Sequence, residues 1–241
     1  MTDGWGFAIS NGHDFSRAIE GFGRPASAAE GRFSLSTMRL CPLPRSFFAR
    51  DPRRVARELL GKLLIRKRGK KHLAGRIVEV EAYLGESDPA AHAASGITPR
   101  NRVLFGPPGH AYVYFIYGQY FCLNVSCQPE GQAGCVLIRA LEPLAGLEQM
   151  ARARGLRAKD GKITSRKLTS GPSRLYQALG VTRARDNDAD LTSPRSGLWI
   201  SDDGFRPRRI QRTPRIGIKM AKEEKLRYVI AGNPFASAKR G

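Results

Sequence analysis

The sequence predicts a single α+β domain, on three observations. Its 241 residues suffice for one full core, and a second would be small. Strand-like and helix-like stretches follow one another from residue 51 to residue 230 without an internal repeat, the pattern of one mixed domain. Residues 111–126 hold two β-rich runs around Gly118-Gln119, and glycine at the first central position of a two-residue connection marks a type II′ hairpin.

The elements follow in order. Residues 1–37, rich in Gly, Ser and Ala, read as a disordered tail or as an over-extended start with Met38 as initiator, and residues 38–241 as the domain. Asp51 can cap a helix with Pro52 at its first position, Val55, Leu59 and Leu60 as its apolar stripe and Gly61 as its stop. Leu63–Arg66 reads as a strand, Lys67–Lys71 as a basic turn and Leu73–Tyr83 as a long second strand. Residues 84–110, with four prolines, read as loops; the hairpin and a strand at Cys135–Leu141 come next. Glu142–Arg154 is expected as a helix and residues 155–169 as a basic linker. Ser170-Gly171-Pro172 opens a further helix that Gly180 ends, and Arg227–Ile230 is the last strand.

Charge points to the partner. Forty-one Lys and Arg against twenty-one Asp and Glu give +20, and residues 1–40 contribute none of the excess, since four basic side chains there meet four acidic ones. A domain so basic suits a polyanion. A hairpin tip carrying Tyr117 and Tyr120 instead of small polar residues suits a surface that presses into nucleic acid. The spacing of Cys41, Cys122, Cys127 and Cys135 fits no zinc site, and three of them lie in apolar runs, so a reduced, cytoplasmic protein without metal or other cofactor is expected. No run of 18 apolar residues is present, so no membrane span is expected.

The strand Leu73–Tyr83 carries the chemistry of interest. Period-two alternation places Val78, Val80 and Ala82 on one face and Ile77, Glu79, Glu81 and Tyr83 on the other. That second face is either a solvated acidic surface or a carboxylate held against apolar and aromatic neighbours, where desolvation would suit it to act as a general base. His92, Arg139 in the run Val136–Leu141, and Asn124 are polar groups that gain meaning only if they share its pocket. Arg100 and Arg102 offer guanidinium forks to phosphate, and Ser170 and Gly171 offer free N–H groups at a helix start.

Several blocks occur in a fixed order: Glu-Ala-Tyr-Leu-Gly at 81–85, Ala-Ala-His at 90–92, Thr-Pro-Arg-Asn-Arg at 98–102, Tyr-Val-Tyr-Phe-Ile-Tyr-Gly-Gln-Tyr-Phe-Cys-Leu-Asn at 112–124, Val-Leu-Ile-Arg-Ala-Leu-Glu-Pro at 136–143 and Ser-Gly-Pro-Ser-Arg-Leu at 170–175. Together they resemble the alkyladenine (3-methyladenine) DNA glycosylase family of base-excision repair enzymes, over roughly residues 40–237. The resemblance implies one domain with a mixed, mostly antiparallel curved β-sheet, surrounding helices and a protruding β-hairpin. It also implies roles. Glu81 activates the attacking water and Arg139 helps to hold it. Tyr83, His92 and Tyr114 wall the flipped-out base, and Asn124 guards against the exocyclic amino group of guanine. Tyr117 fills the vacated stack. The physics suits these parts, because a stacked base must be extruded before its sugar carbon can be attacked, and aromatic faces attract cationic alkylated bases.

The expected activity is therefore metal-free hydrolysis of damaged purines from double-stranded DNA by a monomer, nucleoid-associated if bacterial, leaving an abasic site. The rivals are a non-catalytic nucleic-acid-binding module and an RNA- or ribosome-associated basic protein. One tension is internal. A strict two-residue turn pairs Tyr117 with Tyr120 and Tyr114 with Leu123, which sends Tyr114 and Asn124 to opposite sides of the ribbon. A shared pocket requires a bulge or longer loop that shifts the register, and such an irregularity is expected.

Overall fold

The computed structural model describes residues 40–116, 120–156 and 165–237. The tail 1–37, Tyr117 and the Gly118-Gln119 turn lie outside them.

Among the described residues the chain forms one curled antiparallel sheet with helices against it, the predicted α+β fold. The strands are β1 (Cys41–Pro42), β2 (Leu63–Arg68), β3 (Lys71–Tyr83), β4 (Ala111–Ile116), β5 (Tyr120–Ser126), β6 (Cys135–Ala145), β7 (Leu198–Asp202), β8 (Ile210–Thr213) and β9 (Arg227–Ile230). Their order is β1-β7-β2-β3-β6-β5-β4, with β9 joining β3 to β8. The helices are α1 (Arg45–Phe48), α2 (Pro52–Leu59), α3 (Leu147–Ala153), α4 (Arg166–Thr169), α5 (Pro172–Leu179) and α6 (Arg183–Asp186).

Local signals set α2 and α5. Asp51 accepts the Arg53 N–H at 2.7 Å, Pro52 occupies the first turn, and Val55 and Leu59 are fully buried. In α5, Pro172 again starts the helix, and Gly180 closes it in the left-handed conformation. Both helices bury their apolar stripes in one cluster with Ile77, Val80, Ala82, Val136 and Ile138 of the central strands. A smaller cluster, with Ala93, Leu104, Tyr112 and Cys135, lies beneath the loop that joins β3 to β4.

Three expectations need correction. The helix expected over Glu142–Arg154 forms only from Leu147; residues 142–145 continue β6, with Pro143 opposite Gly75. Strand β5 pairs only with Cys135–Leu137, so Pro143 has a strand partner on one side alone, where its missing N–H is tolerated. The change of direction falls instead at Gly146, whose φ is 76° and where a Cβ would collide with Leu73. Second, the basic stretch 155–169 is not all linker, since α4 occupies Arg166–Thr169. Third, strict alternation fails in β3. The register with β6 shifts on both sides of Glu79, leaving Val78 as an extra residue in β3 and Arg139 as one in β6. Ile77 thereby joins Val80 and Ala82 in the core instead of sharing a face with the glutamates.

The hairpin register also departs from the strict two-residue turn. Ile116 faces Tyr120, Tyr114 faces Cys122 and Tyr112 faces Asn124, so three residues separate the last paired positions. The shift is the irregularity that a shared pocket requires. Tyr120 is half-buried, its ring 6.3 Å from that of Tyr176 on α5.

Candidate active site

Register places the site. Glu81 faces Leu137, Leu137 faces Asn124 and Asn124 faces Tyr112, one cross-strand row over β3, β6, β5 and β4. Residues directly opposite one another in a sheet share a face, so Glu81 and Asn124 are held on the same side by strands far apart in sequence. The one-residue shift in the hairpin brings Tyr112 and Tyr114 to that side too.

This face forms the floor of a cavity of about 1010 Å³. Tyr83, His92, Tyr112 and Tyr114 line it, with Asn124, Leu137 and Arg139 beside them. The His92 and Tyr114 ring centroids are 4.4 Å apart at a steep angle, and His92 Nδ1 lies 2.8 Å from the Tyr112 hydroxyl. Asn101 steadies the loop that carries His92: its Nδ2 donates to the carbonyls of His92 and Gly96 at 2.8 and 2.9 Å. Partial desolvation, helped by Arg100, lowers the His92 pKa. The guanidinium of Arg100 stands over the Tyr114 ring at 5.6 Å.

Glu81 does not itself line the cavity but sits in an acid–base cluster held by Tyr83, Arg139 and Ile216, which do. Glu79 and Glu81 are both fully buried, so the solvated acidic face does not exist. The bulge points Arg139 between them: its Nε donates to Glu79 Oε1 at 2.8 Å, and its Nη1 lies 3.2 Å from Glu81 Oε2. Glu81 Oε2 also accepts the Tyr83 hydroxyl at 3.1 Å, and Oε1 accepts the Ile216 N–H at 2.8 Å. The two carboxyls are tuned in opposite directions. Burial pushes Glu81 above the usual glutamate value despite the pull of Arg139 and the two donors. Burial also acts on Glu79, but Arg139, Arg227 and Ser237 outweigh it and hold that carboxyl low. A buried carboxylate with raised basicity beside a fixed cation is suited to accept a proton from water.

Of the residues singled out from sequence, Glu81, Tyr83, His92, Tyr114, Asn124 and Arg139 come together here. Ser170 and Gly171 line the cavity at the start of α5. Arg102 is exposed at the head of a short 3₁₀ turn and does not line the cavity. Several site residues went unassigned. Glu79 lies two residues from Glu81 on one strand, a visible signal whose burial was not. Tyr112 enters the wall only through the shifted register. Ile216 reaches Glu81 with a backbone group, and no residue pattern announces that. The cavity edge adds exposed Arg166, Lys167, Arg174 and Lys219. Among the described residues no group of His, Cys, Asp and Glu could hold a metal ion, and no helix is long and apolar enough to cross a membrane.

A cavity lined by aromatic rings beside a buried carboxylate, in a chain of +20 formal charge, fits the class of DNA glycosylases. The sequence model of the family described as Methylpurine-DNA glycosylase (MPG) matches residues 46–234. A Koribacter versatilis protein with the name "Putative 3-methyladenine DNA glycosylase" is 60% identical over 205 residues, 85% of this chain and 97% of that one. Proteins with the same name from Burkholderia cenocepacia (50% identical, 81% of this chain and 90% of that one) and Methanocella arvoryzae (48%, 77% and 88%) are also similar. The chain belongs to the methylpurine-DNA glycosylase family of DNA-repair hydrolases.

Proposed function

We propose that the protein acts as a monomer on double-stranded DNA, extrudes alkylated or deaminated purines such as 3-methyladenine and hypoxanthine, and hydrolyses the N-glycosidic bond with a water activated by Glu81. The observation that carries this reading is the Glu81 carboxylate: fully buried, raised in basicity, and held by Tyr83, Arg139 and Ile216, three residues that line the aromatic cavity. In the proposed step the water oxygen bonds to C1′ of the sugar and its proton passes to Glu81. The base departs with the electron pair of the broken C–N bond. An ionised Glu81 also favours the positive charge that builds on the sugar. Arg139 fixes the orientation of that carboxylate and of the water.

Tyr83, His92 and Tyr114 hold the extruded base between rings, which favours electron-poor alkylated purines. Asn124 keeps its Nδ2 on the Tyr112 carbonyl at 3.1 Å. An exocyclic amino group brought against that amide nitrogen would set donor against donor, which is a basis for rejecting undamaged guanine. Tyr117 is proposed to fill the vacated stack. Arg100, Arg102, Ser170 and Gly171 are proposed to hold the phosphates, the last two through the start of α5.

The test is release of free base from duplex bearing hypoxanthine or from methylated DNA, with the strand left intact until alkali is added. Strand cleavage without alkali would instead assign a lyase amine, for which Lys167 and Lys219 on the cavity edge are the candidates. Salt-sensitive binding with no base release would favour the non-catalytic module.

A further inference from the structure

The wall and the floor of the cavity are tied together by one ion pair that lines neither. Asp88 and Arg215, 127 residues apart, have side chains 1% and 0% exposed. Arg215 Nη2 donates to Asp88 Oδ1 at 2.9 Å, and Nη1 donates to Asp88 Oδ2 and to the Ala82 carbonyl. The guanidinium carbon stands 4.7 Å from the centre of the Tyr83 ring. On its other side Asp88 accepts the Leu84 and Ala90 N–H groups at 3.1 and 3.0 Å, so it also shapes the loop that presents Ala90 and His92 to the cavity. The residue after Arg215 is Ile216, whose N–H donates to Glu81.

We infer that the Asp88–Arg215 pair is a positioning device for the catalytic carboxylate, setting both of its uncharged donors at once: the Ile216 N–H through the chain, and the Tyr83 hydroxyl through the stacked ring. The inference rests on the reading of Glu81 as general base. A buried ion pair adds little stability over well-packed apolar side chains of the same size, so stability alone does not account for it. A planar bidentate fork fixes distance and angle together, as an ammonium group does not. Glu81 is faced by Arg139 from β6, by Glu79 and Tyr83 from β3, by Cys122 from β5 and by the Ile216 backbone. Loosening the pair leaves Arg139 and Glu79 in place and weakens donation to the carboxylate. The Glu81 pKa must then rise, and the acid limb of the rate profile must move to higher pH.

The experiment measures single-turnover release of methylated purines from DNA treated with dimethyl sulfate, across pH, for the full chain and for Arg215→Lys, Asp88→Asn and Glu81→Gln. Both pair variants are expected to lose about tenfold or more in rate and to shift the acid limb upward by about one pH unit. Asp88→Asn preserves shape and an acceptor oxygen, which keeps the test open should Arg215→Lys not fold. A slower variant with an unmoved acid limb, or failure of both to fold, would assign the pair to stability and overturn the proposal. Full activity in Glu81→Gln would instead sink the reading of the base. Excision lost in Glu81→Gln with an unmoved limb in Asp88→Asn would sink the brace alone.

Discussion

Glu79→Gln keeps the size of a buried side chain and removes the one negative charge shared by two guanidinium groups. Arg139 Nε and Arg227 Nε each lie 2.8 Å from Glu79 Oε1, and all three side chains are at most 8% exposed. The Ser237 hydroxyl adds a donor at 2.7 Å, so the carboxylate also holds the C-terminal segment against β3. Breaking a buried pair leaves uncompensated charge and costs about 3–5 kcal/mol, which for a domain of this size lowers the melting temperature by roughly 6–20 °C. The exposed pair Arg54–Glu58 supplies the control: Arg54→Gln should cost less than about 1 kcal/mol. The pH dependence has a definite sign. The folded-state pKa of Glu79 is lowered, so its contribution is complete above the ordinary glutamate value and is lost as pH falls through the folded one. The gap between wild type and Glu79→Gln, read by urea unfolding, should be full at pH 7 and shrink on acidification below about 4.5. A loss no larger than that of Arg54→Gln, or a gap independent of pH, would refute the reasoning.

Two further outcomes concern the cavity and the thiols. Tyr114→Ala should weaken binding to DNA carrying a damaged base by about 1–3 kcal/mol, the value of one base–aromatic stack, while affinity for undamaged duplex stays the same; equal losses on both would remove Tyr114 from the wall. Burial lifts Cys122 to about 11 and Cys135 to about 12, raises Cys127 well above its ordinary value, and leaves Cys41 exposed. A chromogenic disulfide at pH 8 should therefore titrate one thiol quickly in the native protein and all four after unfolding. Rapid reaction of several thiols in the native state would contradict the packing around the floor.

Elements with local signals were legible in the sequence: Asp51-Pro52 and Gly61 around α2, Pro172 and Gly180 around α5, and the run of β3. What was not legible depends on partners far along the chain. Pro143 resembles a helix start, and only its position opposite Gly75 at a half-open edge makes it strand. Alternation placed Ile77 with the glutamates because a bulge carries no side-chain signature, and the same irregularity aims Arg139 between two carboxylates. Tyr114 and Asn124 could be paired only by requiring a register shift, and Tyr112 joined them once Ile116 proved to face Tyr120. Asp88 and Arg215 stand 127 residues apart, and nothing short of the fold brings them together.

The central claim is that Glu81 accepts the proton of the attacking water. Its most direct measurement is single-turnover base release by Glu81→Gln from duplex DNA carrying a damaged purine, alongside the affinity of that variant for the same DNA. The side chain keeps its shape and one oxygen for the Ile216 N–H, so binding should persist while turnover falls by at least about 10²–10⁴-fold. Wild-type excision by Glu81→Gln would contradict it.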